Sequence, residues 1–199
     1  PIKNYGYTDR QKSNYMGGWR KFPIERNFPE MGGRKVVAYF EFDMASDPEL
    51  VVKVALSGTG RGGALRNLHA EAAGKDFNTI AADAADSWNR NLATIQVEGT
   101  PDQKAMFYTS YYHTMINPSV YMDVDGRYRG LDQNIHQADG FDNYTIFSLW
   151  DTYRAEHPLL MLMFPKQAAH MAQSMLRHQQ QSVHGLLPIW SHMANDNWC

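Results

Sequence analysis

The sequence predicts an α+β chain, strands first and helices after, and three observations carry that expectation. Residues 36–43 and 50–57 hold β-branched and aromatic side chains in partial alternation. Apolar residues between 77 and 95 recur at helical steps. Beyond residue 100, caps, prolines and glycines cut the chain into helices and loops.

Residues 1–35 are rich in Gly, Asn, Tyr and Lys, and Pro23 and Pro29 break any long element, so loops and short strands are expected there. The two strands flank the turn pair Asp47-Pro48 and read as the last hairpin of a sheet, because two strands alone do not make a stable one. Phe77, Ile80, Ala84, Trp88, Leu92 and Ile95 line one face of an amphipathic helix. Thr100-Pro101-Asp102-Gln103 is a capping box with proline at the first helical position, and its helix runs towards Asn117-Pro118. Residues 117–143 form a long polar connection around the turn pair Asp125-Gly126, and long loops in compact domains usually serve a site. Helices are expected over 148–163 and 166–183, the second stopped at Gly185.

Composition excludes several classes of partner. The 199 residues hold 19 basic and 21 acidic side chains, so no basic field exists to attract nucleic acid or anionic lipid. No run approaches the roughly 18 apolar residues of a membrane span; the longest apolar cluster covers 159–164. Pro1 and Cys199 read as the ends of an internal piece of a longer chain, and a lone cysteine allows neither an internal disulfide nor a thiolate zinc site. Cys199 itself reads as a small buried apolar residue. Aromatic residues make up 13%, with five tryptophans, beside a mean hydropathy of -0.52. Such chains bind hydroxylated rings or build bulky cores, and composition alone favours the core.

Two motifs invite function and meet objections. Gly58-x-Gly60-x-x-Gly63 has the spacing of a dinucleotide-binding loop, but Asp83 and Asp86, where an acid at a second strand end belongs, fall inside the predicted helix. A tight bend between elements explains the glycines instead. Asp123, Asp125, Gly126 and Asp132 overlay an EF-hand loop, yet Tyr121 occupies the first ligand position and no flanking helices pair, so a turn with solvated aspartates is expected and no independent calcium site. His170 and His178 are two helical turns apart and cannot share a metal, while His157 and His192 lie near candidate loops.

The densest polar and aromatic cluster is Ser148-Leu149-Trp150-Asp151-Thr152-Tyr153-Arg154-Ala155-Glu156-His157-Pro158. It has a structural reading, in which Ser148 caps a helix and Asp151 sits in the first turn, paired with Arg154 at i, i+3. It has a functional one as well, in which Trp150, Asp151 and Arg154 crown a helix and hold a sugar ring. Chemistry alone does not choose between them.

From Tyr144 to Leu159 this block closely resembles the signature of glycoside hydrolase family 92. Further blocks fall in the family's order: Lys53-Val54-Ala55-Leu56-Ser57, Ala64 with Asn67-Leu68 and Glu71, Trp88-Asn89, Phe107-Tyr108, Tyr111-Tyr112-His113-Thr114, Asp123-Val124-Asp125-Gly126-Arg127-Tyr128-Arg129-Gly130 and Leu187-Pro188-Ile189-Trp190. The resemblance implies the end of an N-terminal β-sandwich over 1–58, connector helices over 59–100 and the start of an (α/α)6 barrel over 101–199. It implies a secreted, periplasmic or cell-surface exo-α-mannosidase that removes terminal α-linked mannose from N-glycans or mannans, inverting the anomeric centre with the help of calcium. By resemblance, Trp150 and Asp151 grip the terminal mannose, Arg154 supports Asp151, and Asn195 also meets substrate. The run Asn195-Asp196-Asn197-Trp198-Cys199 departs from the family's usual Asn-Glu-Thr-Trp-Cys at 196 and 197, so no role is assigned to Asp196. The catalytic acid, the base and the calcium ligands are expected beyond Cys199, which implies that this chain alone is inactive. The competing functions are a carbohydrate-binding module without catalysis and, from the glycine loop, a nucleotide-binding oxidoreductase.

Overall fold

The computed structural model describes residues 2–9, 20–22, 36–45, 48–145, 148–182, 185–187, 191–192 and 195–196, with the backbone alone described up to 36, at 38 and beyond 187. The chain forms two compact units, Pro1–Val52 and Lys53–Cys199.

The first unit is a three-stranded antiparallel sheet of β1 (Ile2–Asp9), β2 (Arg20–Phe22) and β3 (Val36–Phe42), with β1 in the centre. β3 lies where the alternation placed a strand, and its partner is β1, with Tyr5 opposite Phe40 and Tyr7 opposite Ala38. The hairpin expected between 36–43 and 50–57 does not form. Residues 50–57 have no ladder, and Val51, Val52, Val54 and Leu56 are exposed. A strand exists only where neighbouring N–H and C=O groups pair with it, and no described segment offers 50–57 that pairing.

The second unit is mostly helical. It begins with α1 (Arg61–Ala72), α2 (Phe77–Leu92) and α3 (Pro101–His113). Lys53 reaches across the end of α1 and donates from Nζ to the carbonyls of Ala72 at 2.7 Å and Lys75 at 2.5 Å, placing a cation where the helix dipole is negative. Asp76 caps α2 by accepting from the Thr79 N–H at 2.7 Å. The predicted capping box opens α3: Thr100 Oγ1 accepts from the Gln103 N–H at 3.3 Å, and Gln103 Oε1 accepts from the Thr100 N–H at 2.9 Å. Trp88 of α2 meets Tyr112 of α3 edge to face, 4.6 Å between ring centres.

After α3 comes the hairpin of β4 (Arg127–Arg129) and β5 (Ile135–Gln137), then α4 (Leu149–Thr152), α5 (Glu156–Met163), α6 (Pro165–Gln181) and the short pair β6 (Ser191–His192) and β7 (Asn195–Asp196). The single helix expected over 148–163 is broken into α4 and α5, and Pro158 explains the break. In a continuous helix its ring would strike the carbonyl of residue 154, whereas a fresh start at Glu156 puts it in a first turn, where no N–H is needed. Tyr144, Leu160 and Met171 form the buried core of this unit, with Phe164 and Met175 packed against it.

Outside that core the helices leave apolar side chains in the open, Phe77 at 76% and Leu162 at 77% exposure among them. Burial depresses His178 on α6 from 6.5 to about 4. The folded state therefore holds a neutral imidazole that the unfolded state would protonate. Stability should fall as pH drops from 6.5 towards 4, by up to roughly 3 kcal/mol in total. Denaturant melts across that window should show the loss, and His178→Gln should flatten it; an unchanged slope would mean that other groups set the acid limit.

Candidate functional site

The glycine loop and the aspartate turn, 60 residues apart in the chain, meet in one cluster. Asp123 is buried, 2% exposed, and its Oδ2 accepts from Ser57 Oγ at 2.9 Å and from Thr59 Oγ1, while Oδ1 accepts from Asn67 Nδ2 at 2.9 Å. Asn67 completes the exchange by accepting the Val124 N–H at 3.0 Å and donating to the Leu56 carbonyl at 3.0 Å. Burial raises the Asp123 carboxyl, but the bonds from Thr59, Ser57 and Asn67 outweigh it and hold the group below the ordinary carboxylate range. The stability it contributes is present above that range and is lost as pH falls below it.

This corrects one expectation. The aspartates of the turn are not all solvated, because Asp123 is enclosed. The Gly58-x-Gly60-x-x-Gly63 loop does precede a helix, with Gly60 at φ 125°, but the space at its mouth holds the chain's own Asp123 carboxylate. A Cβ at Gly63 would collide with that carboxylate and with the Ser57 and Thr59 hydroxyls. An internal anion thus occupies the place a nucleotide phosphate would need.

The remaining acids of the apparent calcium loop are also engaged by protein groups. Asp125 pairs with Arg66 at 3.0 Å and with Arg127 at 2.9 Å, and Asp132 accepts from His136 at 2.9 Å and from Asn134 at 3.0 Å. The three carboxylates do not converge, and the described residues offer calcium no ligand set. Asp125-Gly126 does make the tight turn expected of it, with the Gly126 N–H donating to the Asp123 carbonyl at 2.8 Å.

Next to this cluster, residues 119–121 pair antiparallel with residues 143–145 at a single bridge, Val120 opposite Tyr144. The Tyr121 N–H donates to the Asn143 carbonyl at 2.7 Å, Asn143 Nδ2 donates to the Tyr121 carbonyl at 2.9 Å, and the Thr145 N–H donates to the Ser119 carbonyl at 2.8 Å. Asn143 is fully buried, and α6 pins the same segment through Ser174 Oγ, which accepts the Tyr144 N–H at 2.9 Å. Ser148 follows three residues after Thr145.

At α4 neither bond of the structural reading is made. Ser148 Oγ does not cap the helix and is buried without a hydrogen bond. Arg154 does not pair with Asp151; its Nε donates to Tyr153 Oη at 2.8 Å and its guanidinium lies 5.4 Å from the Tyr153 ring centre. Trp150 is 68% exposed, and Asp151 is exposed with no ion pair or side-chain hydrogen bond to any described residue. Beside them burial raises the Glu156 carboxyl and lowers His157, whose proton is favoured in turn by the Thr152 backbone. Trp150, Asp151 and Arg154 therefore sit together on or just after one short helix.

Asn195 lies in β7 with its backbone opposite His192, and the side chains of both, like Cys199, are outside the described residues. A cavity of about 210 Å3 lined by Trp88, Asn91, Met115, Leu160 and Phe164 lies elsewhere, and none of Trp150, Asp151 and Arg154 borders it.

Geometry alone leaves the role of this block open, and comparison with known proteins gives the class. Residues 63–199 match the model of the glycosyl hydrolase family 92 catalytic domain, and the chain belongs to that family. It is similar to the family GH92 α-mannosidase BT3965 of Bacteroides thetaiotaomicron, with 31% identity and a TM-score of 0.72 over 98% of this chain and 26% of that one. The same enzyme solved with mannoimidazole matches equally, at 31% identity and TM-score 0.72 over 98% of this chain and 25% of that one. The GH92 inverting mannosidase BT2199 of the same organism matches at 26% identity and TM-score 0.71, over 96% of this chain and 24% of that one. No curated protein matches significantly. The chain spans about a quarter of the length of the solved enzymes it resembles.

Gly62 and Gly63 separate local propensity from packing. A Cβ at Gly62 meets only the end of the Arg66 side chain, at 3.5 Å, whereas at Gly63 it strikes the Asp123 cluster. Gly62→Ala should stabilise by up to about 1 kcal/mol as a helix position, and Gly63→Ala should destabilise by about 1–3 kcal/mol. Paired thermal melts read both signs directly, and a neutral Gly63→Ala would show that the cluster yields freely.

Proposed function

We propose that this chain is part of an α-mannosidase that removes terminal α-linked mannose from a glycan, and that Trp150, Asp151 and Arg154 form its grip on the terminal sugar. The observation that carries the reading is the state of Asp151. Its carboxylate has no partner among the described residues, although Arg154 is only three positions away, because α4 ends at Thr152 and Arg154 is bonded to Tyr153 instead. An exposed indole face beside an unpaired acceptor suits a hydroxylated ring, which needs apolar cover on its C–H face and acceptors for its hydroxyls. Tyr153 draws the guanidinium aside and leaves Asp151 to a ligand. Asn195 is proposed as a further contact on the resemblance alone.

Family membership and the mannoimidazole held by a similar enzyme support mannose as the sugar. Inversion needs an acid and a base about 6.5–9.5 Å apart across the scissile bond. We assign neither to the described residues. Calcium is proposed for the whole enzyme on the same family grounds. The β-sandwich and (α/α)6 barrel assignments, and a secreted or cell-surface location, rest on the resemblance too.

Two outcomes test the reading. In the full coding sequence that contains this chain, Asp151→Asn should retain the melting temperature and lower kcat/KM for an aryl α-mannoside by roughly 10- to 100-fold, the size of a lost charged hydrogen bond. Wild-type turnover would return Asp151 to the role of a helix acid. The present chain alone should show no turnover with calcium supplied, and activity from it would place the acid and base within these residues.

A further inference from the structure

We infer that Asp123 is a positioning residue for the sugar-gripping block 148–154; the inference rests on the reading of Trp150 and Asp151 given above. The argument is one of connectivity. A segment that carries an exposed ligand-binding pair on a four-residue helix cannot hold its own orientation, since so short a helix is marginal by itself. Its orientation has to come from what precedes and follows it. On the preceding side the chain passes through Thr145, Tyr144 and Asn143, where Thr145 is bonded to Ser119 and Asn143 to Tyr121, flanking a single antiparallel bridge of Tyr144 with Val120. Ser119 also donates its N–H to Thr145 Oγ1 at 2.9 Å, so side chain and backbone both fix the register.

The outer segment of that bridge, residues 119–121, needs an anchor of its own, and Asp123 is two residues from its end. Asp123 ties it to three separate points on the loop before α1 and on α1 itself: Ser57, Thr59 and Asn67. One further bond and one glycine close the same joint. Arg129 donates from Nε to the Gly58 carbonyl at 2.7 Å, and Gly63 admits the carboxylate because it has no side chain. Bonds to an ionised acceptor are about twice as strong as neutral ones, and the donors here are short side chains with few rotamers to lose. The joint therefore fixes position tightly. Asp123 touches no part of the proposed sugar site, so its effect on the reaction is indirect.

The test is kinetic and uses the full coding sequence that contains this chain. If Asp123 only holds the protein together, Asp123→Ala lowers the amount of folded enzyme, so apparent kcat falls at unchanged KM. If it positions Trp150 and Asp151, the folded fraction binds the sugar less well and KM for an aryl α-mannoside rises, by roughly three- to tenfold for a displacement well under 1 Å. Asp123→Asn keeps the shape, and the Ser57 and Thr59 hydroxyls can turn to accept from its amide, so it should recover most of the loss. Should Asp123→Ala fail to fold, Ser57→Ala removes one donor and should raise KM by a smaller factor. Wild-type KM in both Asp123→Ala and Ser57→Ala, beside an impaired Asp151→Asn, overturns the positioning role alone. A wild-type Asp151→Asn overturns the sugar-site reading and the positioning role together, so the two failures are distinct.

Discussion

The buried carboxylate of Asp123 is the interaction on which the helical unit depends. A carboxylate removed from water is costly unless its lone pairs are filled, and here two hydroxyls and an amide fill them. No cation among the described residues bonds to it directly; Arg66, which favours its charged form, is engaged with Asp125. The arrangement works because the donors come from a loop and a helix whose glycine leaves room for the charge. In exchange, an exposed connection becomes a fixed frame: the turn at 123–126, the β4–β5 hairpin and the bridged segment at 119–121 all take their place from that point.

The same interaction explains why a familiar motif misleads. A glycine-rich turn at a helix N-terminus is suited to anions because it brings backbone close without side chains in the way. That property is generic, and the anion can be a phosphate or a carboxylate of the same chain. Spacing alone could not tell which. The missing acid at the end of a second strand was legible evidence against a nucleotide, but the positive answer lay 60 residues downstream.

Elements governed by local physics were legible. The period of α2 over Phe77–Leu92 and the capping box of α3 involve residues within a few positions of one another and stand as read, whereas α6 ends at Gln181, before the stop expected at Gly185. What failed was set by partners at a distance. Residues 50–57 have strand composition and no ladder, and the expected helix over 148–163 is cut because Pro158 fits only where an N–H is not required. The candidate site divides in the same way. Trp150, Asp151 and Arg154 stood out by density within a dozen residues, whereas Asp123, Ser57, Thr59 and Asn67 form a cluster that no window of sequence contains.

That division bears on how the site is built. Ser148 leaves its hydroxyl unbonded instead of capping α4, and Tyr153 takes Arg154 away from Asp151, so the helix forgoes two local stabilising bonds. A short helix that gives up its cap and its ion pair holds its place only if something else supplies the order. The pairing of 143–145 with 119–121 and the bonds of Ser174 supply it from outside the block. On the proposed reading of Trp150 and Asp151, local groups are thereby left to a ligand while distant ones bear the structural duty, and a polar site stays open because its rigidity is imported.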